Sequence, residues 1–201
     1  MRPLPSLRAA PIDWPRVERW EQDLAADRLD RIRTGFAAGG IGGLELARSP
    51  EPAALQGTAN RFLLEYWLAE QQGAMPPASA IDPIRMRPAL GRILIVEPIE
   101  QGWDFRYRLF GTLVAAVSGY DMTGKLLSAH PLAPEMVCFA FALYRGLLVR
   151  PEPVMTMNVP PMAHFARWER IVLPFAGPGG EVTRFVVGNV GFDRDGREMR
   201  A

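Results

Sequence analysis

The chain has 201 residues, 48% hydrophobic and 22% charged, with a formal net charge of +1. This composition excludes a disordered or fibrous chain, and the near-zero charge excludes a global electrostatic pull toward nucleic acid or an anionic membrane. Cys138 is the only cysteine, which excludes an intrachain disulfide and a cysteine-rich zinc site.

Lys125 is the only lysine, a bias toward arginine that reads as genome composition rather than chemistry. Residues 1–15 lack the apolar stretch of a secretory signal. The most apolar window, 137–149, is interrupted by Arg145 and too short to span a bilayer. A soluble cytoplasmic protein is expected.

In chain order, Asp13 is placed to cap a helix with Pro15 at its first positions. Val17, Trp20, Leu24, Ile32 and Phe36 then recur at helical spacing, which predicts one amphipathic helix ending before Gly39-Gly40. Residues 39–57, with two Gly-Gly pairs and Ser49-Pro50-Glu51-Pro52, read as a linker. A second helix is predicted over 58–72. Strands follow at 92–99 and 103–110, joined by Gln101-Gly102 as a hairpin. The second alternates strictly, with Trp103, Phe105, Tyr107 and Leu109 on one face and Asp104, Arg106 and Arg108 on the other. Short helical segments lead to a longer apolar helix at 134–148. Three strands close the chain at 153–159, 167–175 and 182–192, the last two joined through Gly177-Pro178-Gly179-Gly180.

Strands segregated from helices imply an α+β fold: a five-stranded antiparallel sheet, helices gathered on one face, and a hollow between them. The divisions expected are an N-terminal helical extension and linker over 1–56, the main domain over 57–193, and a polar tail over 194–201. The strands are apolar on both faces, so the sheet needs two covers. The N-terminal helix or a second subunit is expected to supply the second cover. A homodimer with Val17, Trp20 and Leu24 at or near the interface follows.

Catalytic motifs are mostly missing: no phosphate-binding loop, no Gly-x-Ser-x-Gly elbow, and no glycine pattern inside a βαβ unit. His130 and His164 lie among prolines and read as solvated loop residues. The sharper alternative is an axial haem ligand, with His164 the better candidate. Cys138 reads as a buried, inert thiol, with a flavin-adduct role as the alternative. Arg106 and Arg108 pair with an acid of a covering helix or else clamp a carboxylate or phosphate. Glu169 alternates with Ile171, Leu173 and Phe175 and so faces the core. A carboxylate there is costly unless paired, and Arg106 or Arg108 is the expected partner. The alternatives are a ligand acceptor or a bulge turning it outward. Asn189 shares the row of Phe185 and Val187, where a ligand or backbone must satisfy its amide; Asn158 and Tyr107 join it on the same terms. The residues expected to bind a ligand are Tyr107, Arg108, Cys138, Tyr144, Glu169 and Asn189, with none assigned to catalysis or metal. No cofactor follows from them. An enzyme reading, an isomerase or dehydratase on a cone-shaped scaffold, has only Glu169 with Tyr107 as an acid–base pair.

The motifs also carry a family resemblance. Tyr66-Trp67, Ile81-Asp82-Pro83, Phe105-Arg106-Tyr107-Arg108-Leu109 with Gly111-Thr112, Gly119-Tyr120-Asp121-Met122-Thr123-Gly124, and Glu169-Arg170 ahead of Leu173-Pro174 occur in this order. From about Gly57 to Asp193 the chain resembles the PAS domains, most closely a divergent bacterial subgroup formerly a domain of unknown function. The resemblance implies a non-enzymatic sensory or protein-interaction module, often dimeric, working with a signalling partner. It implies no particular ligand.

Overall fold

The computed structural model describes residues 11–160 and 166–199. Asp13 accepts the Arg16 amide at 3.0 Å and opens α1 (Trp14–Ala25). The predicted single helix is in fact two. A turn with Asp27 at φ 53° separates α1 from α2 (Asp30–Ala38). The presumed linker holds a strand, β1 (Gly42–Arg48). Then come α3 (Thr58–Glu70), β2 (Ile93–Ile99), β3 (Asp104–Phe110), α4 (Thr112–Ser118), α5 (Pro134–Val149), β4 (Val154–Val159), β5 (Arg167–Ala176) and β6 (Val182–Phe192).

The strands form one antiparallel sheet of six, not five, in the order β1-β4-β5-β6-β2-β3. β1 is the addition, paired along the outer edge of β4.

Alternation along the strands fills two cores. Leu94, Val172, Phe185 and Val187 face α5, and α1 and α2 pack on that side beyond it. Ile93, Ile171, Leu173 and Val186 face α3. The second cover is therefore α3, supplied by this chain. Its Trp67 indole donates to the Pro174 carbonyl at 2.7 Å. Gly188 allows the close approach, because a Cβ there would stand 2.3 Å from Asn60 Oδ1 and 2.6 Å from Leu63 Cδ1.

The face of Val17, Trp20 and Leu24 is buried within the chain. Trp20 meets Phe36 edge-on at 6.0 Å, and Phe36 meets Phe139 of α5 at 5.2 Å. Arg16–Glu135 and Arg145–Glu21 ion pairs flank the α1–α5 contact at 3.0 and 2.9 Å. These residues are thus not available as the expected dimer face.

Candidate functional site

Between the sheet and α5 lies a cavity of about 90 Å³. The strands give it a polar floor: Tyr107 from β3, Asn158 from β4, Trp168 and Arg170 from β5, and Asn189 from β6. The opposite wall is apolar, with Val114 and Val117 from α4 and Met136, Phe139 and Leu143 from α5. Tyr144 of α5 stacks on Phe185 at 5.2 Å. Helical spacing explains the wall, since positions 136, 139–140 and 143–144 share one face of α5.

Asn189 organises the floor. Its Oδ1 accepts from Trp168 Nε1 at 3.1 Å and from Arg170 Nε at 3.2 Å, and its Nδ2 donates to the Val187 carbonyl at 3.1 Å. Three donor–acceptor contacts on one amide fix its orientation.

His130 closes one end. Its ring meets Tyr120 at 5.2 Å, Tyr107 at 5.5 Å and Phe110 at 6.4 Å. Its Nδ1 accepts the Leu132 amide at 3.2 Å, which leaves the proton of the neutral ring on Nε2. Burial, with a further contribution from Arg170, pushes its pKa down to about 3. Burial pushes Tyr120 up to about 12, Tyr107 well above the usual phenol range, and Tyr144 upward. These hydroxyls stay protonated at neutral pH.

Of the six expected residues, the fold brings Tyr107, Tyr144 and Asn189 together at this cavity, along with Asn158. Arg108, Cys138 and Glu169 stand elsewhere. The β2–β3 register shifts at Ile95/Val96, so Arg108 occupies a bulge and Phe110 turns inward while Leu109 turns out. Arg108 lies 3.8 Å from Glu97 on the outer face, where Arg106 and Arg184 converge on the same carboxylate at 3.3 and 3.2 Å. The acid they find is on the neighbouring strand, not on a covering helix.

Glu169 is fully buried on the α3 face. Among the described residues it meets no arginine. Its carboxylate accepts the amides of Gln56 at 2.7 Å and Gly57 at 3.0 Å, and Asn60 Nδ2 at 3.0 Å. It thereby caps the start of α3, where backbone donors lack helical partners and the helix dipole favours an anion. The sheet stands between it and Tyr107, so the acid–base pair of the enzyme reading is not assembled.

Cys138 points toward the Asp13 carbonyl, 4.0 Å away, and burial raises its thiol pKa. It does not line the cavity, so the geometry for a flavin adduct there is missing. His130 is only 5% exposed, not the solvated loop residue expected, because aromatic rings from β3 and the following segment enclose it. His164 lies outside the described residues. A haem macrocycle does not fit beside His130, since about 90 Å³ is less than the roughly 150 Å³ that admits a benzene. No cluster of three or more His, Cys, Asp or Glu suited to a metal occurs among the described residues.

The sequence reading missed Arg170, Trp168 and His130 as site residues. For the first two the signal was present. With Glu169 facing one core, residues 168 and 170 fall on the other face.

No helix of the described residues is long and apolar enough to cross a membrane. Neither the curated proteins nor the solved structures include a match to this chain. A family model described as PAS domain matches residues 55–187, the span holding α3, the cavity and most of the sheet. The strand order β4-β5-β6-β2-β3, with the helices between β3 and β4 closing over its inner face, accords with that match. The chain belongs to the PAS domain family.

Proposed function

We propose that this chain is a non-enzymatic sensory module that takes up a small molecule in the cavity and communicates its presence to a protein partner in cytoplasmic signalling. The observation carrying this reading is the lining. Tyr107, Tyr144 and Asn158 are each 3% exposed, yet their side chains form no hydrogen bond with a described residue. Polar groups at such depth are normally paired, and a ligand of matching polarity supplies what the fold does not. Family membership supports the sensory or interaction role.

Nuclear magnetic resonance of uniformly ¹⁵N-labelled protein tests this reading with neutral fragments such as acetamide, propionamide and isopropanol. Amide shifts clustered at Tyr107, Leu143, Tyr144 and Asn189 are expected. Shifts scattered over the surface with every fragment would remove the ligand from the proposal and leave an interaction module.

A further inference from the structure

Among the described residues Arg170 is the only charged one lining the cavity, and no aspartate or glutamate of them faces it there. Several arginines elsewhere are paired with carboxylates: Arg16 with Glu135, Arg28 with Asp23, Arg48 with Glu152, and Arg145 with Glu21. Arg170 has no carboxylate within ion-pair distance among the described residues. Its side-chain hydrogen bond is from Nε to the neutral Asn189 Oδ1, and that oxygen is shared with Trp168. A guanidinium offers five donors in a planar fork that matches a carboxylate, so most of this one's capacity is unused within the protein.

The surroundings favour an anion. His130 is neutral with its Nε2 protonated, and Tyr107, Tyr120 and Tyr144 keep their phenolic protons because burial raises their pKa values. The groups facing Arg170 are therefore donors or neutral. An entering anion meets one uncompensated positive charge and no repelling carboxylate.

We propose that the cavity recognises a small organic monocarboxylate, its carboxylate on Arg170 and the tyrosine hydroxyls and its hydrocarbon chain against Phe139 and Leu143. This rests on the cavity being a ligand site, as proposed above. One cation balances one negative charge, and a second carboxylate would be left against the apolar wall without a partner. Comparison with the larger cavity that admits a benzene gives a ligand of roughly three to five heavy atoms.

Isothermal titration calorimetry at pH 7 and constant ionic strength tests the proposal with propionate, its neutral isostere propionamide, and chloride. Propionate is expected to bind about tenfold or more tightly than propionamide. Arg170→Gln is expected to erase that difference while retaining propionamide binding. Equal affinity for the two probes overturns the carboxylate and leaves the ligand cavity standing. Binding of neither overturns both. Displacement of propionate by chloride at equal concentration reduces the site to an anion site without an organic ligand and overturns the proposal. If Arg170→Gln does not fold, Arg170→Lys keeps the charge but not the fork, and a reduced propionate preference in it serves the same purpose.

Discussion

Glu169 Oε1 lies 3.0 Å from the backbone amide of Gly57, one residue before α3 begins. A strand residue at the centre of the sheet thus holds the end of the helix covering that sheet. In Glu169→Gln the side-chain NH₂ faces donors where an oxygen accepted before. The variant is expected to lose about 3 kcal/mol of stability, measured by urea unfolding. An unchanged midpoint would show that the cap is dispensable.

Gly188 sets how closely α3 lies on β6. The Asn60 side chain that a methyl group would strike is itself tied to Glu169, so it has little room to swing away. Gly188→Ala is expected to cost about 2 kcal/mol through overpacking, again by urea unfolding. Stability equal to wild type would mean that α3 shifts freely.

His130 makes stability depend on pH. Its folded pKa of about 3 lies below the unfolded value, so between the two the unfolded chain binds the extra proton. Stability from this group is complete above the unfolded pKa and is lost as pH falls toward the folded one. Between pH 7 and pH 5 the loss is about 2 kcal/mol. His130→Asn keeps an acceptor for the Leu132 amide but does not titrate. The difference in unfolding free energy between wild type and variant should narrow or reverse over that interval by this amount. Parallel pH profiles for the two would contradict the burial argument.

Cys138 should resist thiol reagents. Burial both blocks access and raises its pKa, so the native thiol at pH 8 is expected to react with an aromatic disulfide far more slowly than the unfolded thiol. The rate should climb as urea opens the structure. Immediate reaction in the native state would place the thiol at the surface.

Most of the sheet was legible from sequence because strands buried on both faces write a strong local pattern. The predicted span 182–192 and the observed β6 coincide. β1 was not legible. It is an edge strand in which only Leu44 is buried, and its paired glycines resemble punctuation. The break between α1 and α2 falls at Asp27, with neither glycine nor proline to mark it. In the site, Asn189 was legible because an amide on an apolar row stands out. His130 was not, since a histidine before a proline looks like surface until distant rings enclose it. Glu169 was correctly assigned to a core row, but its partners are backbone amides of residues 56 and 57, which side-chain types do not reveal.

The pairing of β1 with β4 has a consequence for where this protein can be cut. The family match begins at residue 55, after β1 has already joined the sheet through Glu45–Met157, Leu46–Thr156 and Ala47–Met155. A fragment starting there would keep every recognised residue, yet it would bare the peptide groups along β4 and strip Phe36 from Phe139. An open, sticky border of that kind invites aggregation by strand addition between copies. The smallest well-behaved piece of this protein is therefore larger than its family boundary.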